Sequence, residues 1–221
     1  MRAKELINYL IPPLKPTDTV DKALMWMEEF RLSELPVAQD EKFLGIVSEE
    51  MLISMPSDEV AVEQLQLVGQ DTVIGETRHF YEVLRLAYSA SRKIVAVVDE
   101  MERYKGTIAV EDVVEAFAKT STIQQPGAIL VIATNFRDYY LSEISRIVES
   151  VDAKIISSYI VPQTDDPSQL ELTIKINKEE TTHVISILNA NGYNVLESYS
   201  ESQASILEKD RIDQLLNFLK I

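Results

Sequence analysis

The chain of 221 residues contains no cysteine, which excludes disulfides, thiol nucleophiles and thiolate metal sites. Glycine is scarce, six in all, and none belongs to a phosphate loop, a dinucleotide-type pattern or a nucleophile elbow. The two histidines, His79 and His183, lie far apart and outside any metal-ligand spacing. Long apolar runs are missing too. The longest, 94–98 and 128–133, fall far short of the roughly 20 residues that span a bilayer. The start, MRAKELINYL, lacks the apolar core of a signal peptide. No membrane role is expected, and a cytoplasmic location is the default. Positive charge is also short. Lys and Arg number 21 against 36 acidic residues, a net charge of −15. Residues 1–122 hold 13 basic and 22 acidic side chains, −9, and the rest 8 and 14, −6. Such a surface repels a phosphate backbone and no basic stripe offsets it, so nucleic acid is not an expected partner. Adjacent carboxylates, Glu49-Glu50 and Glu179-Glu180, diverge on a helix and read as solvated faces. No catalytic constellation is found, and a non-enzymatic protein is expected.

What is present is a repeat. Residues 34–51, ELPVAQDEKFLGIVSEEM, read as strand, turn, strand and helix start. About 60 residues later, 93–112, KIVAVVDEMERYKGTIAVED, repeat the pattern. An amphipathic helix precedes each copy. Val20, Ala23, Leu24, Met27 and Phe30 form one stripe, with Trp26 at its edge; Phe80, Val83, Leu84 and Ala87 form the other. Val73-Ile74-Gly75 enters the second copy. Helices follow at 48–55, ended by Pro56, and at 110–119, with Val113, Val114 and Phe117 inward. Ahead of both copies, Leu6, Ile7, Leu10 and Ile11 have helical spacing, which predicts a short helix ended by Pro12-Pro13. One unit of this size buries too little surface to stand alone, so two copies sharing a core are expected.

This pattern resembles a tandem pair of CBS domains, a Bateman module, over roughly residues 1–120. Leu35-Pro36-Val37 and Gly45-Ile46-Val47-Ser48 carry the resemblance in copy one, and Gly106 and Asp112 in copy two. The resemblance implies a regulatory module that binds adenosine nucleotides in clefts between the copies. In such modules an Asp takes the ribose hydroxyls and a Ser or Thr takes a phosphate or ribose oxygen. An ionised carboxylate suits a cis diol, and a hydroxyl with the N–H groups of a helix start suits phosphate. The candidate site residues are Asp112, Ser48, Gly106, Ile108, Lys105 and Gly45, with Arg92, Lys93 and Arg78 as possible phosphate contacts.

Each copy departs from the family pattern. Copy one has Ser48 but Met51 at the Asp position; copy two has Asp112 but Ala109 at the Thr position and Ala96 at the Pro position. A lost charge-assisted bond costs about 1.5–3 kcal/mol and a lost neutral one about 0.5–1.5 kcal/mol. The Asp112 site is therefore the better retained.

A polar joint at 121–126 separates a second domain, 127–221. It reads as strand 128–133, helix 140–148, strand 153–161, a turn at 163–168, strand 170–176, helix 179–191 stopped by Gly192, and strand 193–199. Leu170, Leu172, Ile174 and Ile176 alternate with polar residues. The order β-α-β-β-α-β is a split βαβ, ferredoxin-like sheet, and it resembles an ACT domain. That family binds small effectors, usually amino acids, at a dimer interface, beside an Asp-x-Pro-Gly-like loop. Here the loop, 135–140, has Asp138 but neither Pro nor Gly. A tail helix over 204–221 is expected to cover apolar surface. The fold class expected is α+β, with domains 1–122 and 127–221.

The expected function is a regulatory sensor of an adenine nucleotide (AMP, ATP or S-adenosylmethionine), with no resident cofactor or metal. It would signal through a homodimer to an effector protein that the chain does not identify. A ligand-free assembly module and an amino-acid sensor are the alternatives.

Overall fold

The computed structural model describes residues 1–55, 57, 59–166 and 168–200. The helix expected over 204–221, the stop at Pro56 and Pro167 of the predicted turn lie outside the described residues. The fold is α+β. The chain divides into two compact units, Met1–Lys119 and Thr120–Ile221.

In the first unit, copy one runs α1 (Val20–Phe30), β1 (Glu34–Gln39), β2 (Lys42–Ser48) and α2 (Glu49–Ile53). Copy two runs β3 (Val73–Gly75), α3 (Phe80–Ala90), β4 (Ile94–Val98), β5 (Tyr104–Ala109) and α4 (Val110–Ala118). Thr19 caps α1, His79 caps α3 and Ser48 caps α2, each with a side chain accepting a first-turn N–H. Arg31 and Ser91 end α1 and α3 in the left-handed conformation. β1 pairs antiparallel with β2, and β4 with β5. The turn between β1 and β2 puts Asp40 and Glu41 at positive φ, where a two-residue hairpin needs both central residues. The corresponding turn of copy two, 99–103, is longer and is tied by Asp99, which accepts from Met101 N, Arg103 N and Arg103 Nε. This difference shifts the offset between copies from 60 to 61 residues (Glu34 to Ile94, then Glu49 to Val110).

The stripes read from the sequence face two cores. Val20, Ala23 and Met27 pack with Leu35, Val37, Ile46 and Leu52; Phe80, Val83 and Ala87 pack with Val95, Val97, Ile108 and Val113. Ile94 and Ala109 of copy two join copy one's cluster, so the copies share apolar surface. Burying one such side chain contributes about 1.5–3 kcal/mol. Val114 is not inward as expected but 59% exposed, because α4 turns its neighbour Val113 to the core.

The predicted helix at 1–11 is a single 3₁₀ turn, Ala3–Leu6. Its backbone donors are used elsewhere: Ala3 N donates to Arg78 O, Lys4 N to Glu76 O and Asn8 N to Thr107 O (2.8, 3.0 and 2.9 Å). The segment is an edge of copy two, not a helix. The segment that leads into copy two does the reverse. Val68 and Ile46 of β2 exchange two backbone bonds of 3.0 and 2.7 Å.

The second unit runs α5 (Ser121–Gln124), β6 (Ala128–Asn135), α6 (Leu141–Glu149), β7 (Ile155–Pro162), β8 (Gln169–Ile176), α7 (Thr182–Ala190) and β9 (Asn194–Ser200). Its antiparallel sheet has the order β7-β8-β6-β9. Leu130 and Ile132 of β6 and Leu172 and Ile174 of β8 are fully buried under Ile144, Ile147, Val148, Val184 and Leu188 of the helices. The alternation read in 170–176 therefore sets which face is covered.

Glu34, 6% exposed, ties one copy to the other. It accepts from Lys93 N (2.7 Å) and Arg92 Nη1 (3.1 Å). Glu34→Ala is expected to lower stability by about 2–3 kcal/mol by leaving two donors unpaired, and Glu34→Gln by less, since its oxygen still accepts from Lys93 N. Urea unfolding followed by the single tryptophan, Trp26 of α1, measures both.

Tyr104 stacks on Phe43, and its hydroxyl bonds Thr107 Oγ1 at 2.7 Å. Burial pushes its phenol up from 10.0 to about 12, against the smaller opposing effect of Thr107. The folded state thus favours the neutral phenol. This contribution is intact below pH 10 and is lost as pH rises to about 12. Tyr104→Phe is expected to lose less stability between pH 10 and 12 than the parent protein does, by the same fluorescence.

Candidate functional site

Asp112 is the third residue of α4. The residue before that helix is Ala109, which offers no side-chain cap, and the first turn carries Glu111 and Asp112 instead. Carboxylates there favour the positive end of the helix. Asp112 Oδ2 accepts from Asn8 Nδ2 at 2.9 Å in a half-buried contact. Asn8 is itself held at three points. Its N–H donates to Thr107 O, its carbonyl accepts from Ile11 N, and its Oδ1 accepts from Leu10 N at 3.0 Å. The amide is therefore a fixed donor to the carboxylate.

Two cavities meet at this pair, and Asn8, Leu10 and Asp112 line both. One, about 450 Å³, also has Glu5, Ile7, Glu115 and Lys119 on its walls. The other, about 280 Å³, has Ile11, Glu29, Phe30, Leu32, Ala109 and Glu111. A larger cavity of about 750 Å³ between the copies adjoins the smaller one, sharing Leu32, Ala109 and Glu111 with it, and is also lined by Leu24, Met27, Arg31, Glu34, Lys93 and Val110 among others. Its nearly buried carboxylate, Glu34, is committed to Arg92 and Lys93 N. Among the described residues no group of three or more His, Cys, Asp or Glu is arranged to hold a metal ion, and no helix is long and apolar enough to cross a membrane.

Of the six residues proposed from the motif, Asp112 lies on these cavities. The other five line neither. Ser48 caps α2, accepting from Met51 N at 3.4 Å. Ile108 is fully buried in copy two's core, so its side chain is unavailable to a ligand. Lys105 is exposed on β5. Gly45 and Gly106 serve packing. Both have positive φ, +145° and +150°, and a Cβ would sit 2.9 Å from Leu67 Cβ and 2.4 Å from Ile7 Cγ2. Only glycine lets the neighbouring segment lie that close. The basic residues expected near Asp112 are also elsewhere. Arg92 pairs with Glu34, Arg78 with Glu82, and Lys93 Nζ donates to Ser33 Oγ.

Asn8 was missed because its neighbours have helical spacing. A signal existed in the repeat. At the 60-residue offset Asn8 corresponds to Val68, and at the 61-residue offset Asp112 corresponds to Met51. Copy two has a polar pair at two positions where copy one has two apolar residues.

No family model matches the chain. Solved structures similar to it are CBS domain pairs. A CBS domain pair/ACT domain protein from Thermotoga maritima is 24% identical, with a TM-score of 0.49 over 54% of this chain and 98% of that one. The CBS domains of a transcriptional regulator from Streptococcus pneumoniae are 20% identical, with a TM-score of 0.47 over 52% and 98%. CBSX2 in complex with AMP is 21% identical, with a TM-score of 0.47 over 53% and 96%.

Gly106→Ala is expected to cost about 1–3 kcal/mol, from backbone strain and the contact with Ile7. Adding Ile7→Ala relieves the contact and not the strain. The double variant should therefore be less destabilised than the sum of the two single losses. Urea unfolding of the four proteins measures this; strict additivity contradicts the contact.

Proposed function

We propose that the first unit is a tandem CBS domain pair with one working ligand cleft, at Asp112, and that the protein is a non-catalytic regulator responding to an adenine nucleoside or nucleotide. The observation that carries this reading is the Asn8–Asp112 pair set between two cavities, where the other copy has Val68 and Met51. Asp112 stands at the acidic position that the family resemblance assigns to ribose hydroxyls. A carboxylate already oriented by an amide donor loses little freedom on accepting a hydroxyl. The second unit, read as ACT-like, serves assembly as a homodimer and passes the ligand's effect to an effector protein. Its loop after β6 is closed on itself, with Asn135 Oδ1 accepting from Arg137 N and Asp138 N and Asn135 Nδ2 donating to Asp138 Oδ2. That arrangement weighs against an amino-acid site there.

One observation favours a second reading, a ligand-free assembly module. Asp112 Oδ2 already has a donor in Asn8, so the pair is satisfied without a ligand.

Isothermal titration with adenosine, AMP, ATP and S-adenosylmethionine separates the two readings. At least one is expected to bind, and Asp112→Ala to weaken it by about 10- to 150-fold, the worth of a charge-assisted bond. Binding unchanged by Asp112→Ala removes this site. No binding by any of the four leaves the assembly reading.

A further inference from the structure

We propose that the open face of the second unit's sheet is the docking site of the segment that follows β9, residues 204–221. Helices α6 and α7 cover the other face of that sheet, over Leu130, Ile132, Leu172 and Ile174. Successive strand residues point to opposite sides, so Ile129, Val131 and Thr173 point away from the helices. The ladders extend this outer row. Ile129 pairs with Lys175 and Tyr199, Thr173 with Val131 and Tyr159, and Glu171 with Val161, and directly opposed residues share a face. Four of these side chains are open to solvent, from 37% for Ile129 to 60% for Tyr159, with Val161 and Tyr199 between. They spread over β6, β7 and β9. Apolar side chains gathered on one face in this way mark a surface that another element covers.

The occupant is identified by where β9 ends. It is the edge strand beside β6, and its last residue, Ser200, pairs with Ala128. Tyr199, one residue earlier, already stands on the open face. Residues 201–221 follow, and their sequence puts Ile212, Leu215, Leu216 and Leu219 at helical spacing, with Asp210, Asp213 and Asn217 on the opposite side. A helix over 204–221 is about 27 Å long at 1.5 Å per residue. From β9 to β7 is three strand spacings, about 14 Å, so the segment is long enough to cross the whole face. Residues 201–203 bridge at most about 10 Å, so it starts beside that face. A tether this short holds the segment at an effective concentration of about millimolar, which favours the chain's own segment over a second copy.

The chain has no cysteine, so a single introduced thiol reports on its own surroundings. Alkylation of Ile129→Cys and, separately, of Tyr159→Cys is followed in the full chain, in the chain ended after Ser200, and in the full chain carrying Leu215→Asp/Leu219→Asp. Both thiols are expected to react at least about tenfold faster in the second and third proteins than in the first. The protection in the full chain is expected to survive about a hundredfold dilution. Val148→Cys, at a fully buried position under the sheet, is the control for unfolding. A gain at the face while Val148→Cys stays unreactive is uncovering. Where the shortened chain exposes Val148→Cys, the aspartate variant decides. Equal rates with and without the intact segment overturn the proposal. Protection that is lost on dilution overturns it as well, since a second copy then covers the face.

Discussion

A short sheet exposes a row of backbone donors and acceptors at its edge, and those groups need partners wherever they are buried. In the first unit the partner comes from a segment that leads into the other copy. Asn8, ahead of copy one, bonds Thr107 of copy two; Val68, ahead of copy two, bonds Ile46 of copy one. Neither copy has a complete sheet without the other's leader. The crossing requires the two leaders to lie flat on the strands, and this is why Gly45 and Gly106 occupy equivalent places against Leu67 and Ile7. The same economy appears on the next turn. Ser33 O accepts from Glu49 N, and Lys93 O from Val110 N, each at 2.9 Å. Glu34 then adds a carboxylate link between the copies with no counterpart in copy two, where Ile94 stands.

The elements that sequence reasoning placed well are those whose side chains alone determine their burial. α1, α3 and the strand β8 each bury a face that can be counted off at a period of 3.6 or 2, and β4 is an unbroken apolar run buried on both faces. Misreadings came where backbone bonding to a distant segment decides the conformation. Residues 1–11 have helical spacing, yet Leu6 packs in copy two's core and Ile11 in copy one's. A helix would hold both on one face; the observed chain is pulled between two cores. Val114 failed for a different reason. An apolar residue beside a core position looks inward in a list, but a helix rotates about 100° per residue. The candidate site was legible in one residue, Asp112. Its partner was hidden, because an Asn gains meaning only when paired with a carboxylate 104 positions away. Gly45, Gly106 and Ser48 have structural roles, close packing and a helix cap, that the sequence pattern alone does not separate from ligand contacts.

The two copies keep one scaffold and divide its chemistry. Copy one has a hydroxyl cap, Ser48, and Met51 at the third helical position; copy two has Asp112 at that position and Ala109 in place of the cap. Both helix starts carry two acids, Glu49 and Glu50 in α2 and Glu111 and Asp112 in α4, so it is the cap that differs and not the number of carboxylates. A helix without a hydroxyl cap keeps its first N–H groups and positive end uncompensated by its neighbour, and carboxylates in its first turn answer that deficit. α4 carries two, Glu111 and Asp112. Asp112 is thus a first-turn acid of its own helix, and Asn8 holds its orientation from a segment bonded to β5. The two copies thus share a frame whose symmetry comes from exchanged backbone and not from the side chains that line its cavities.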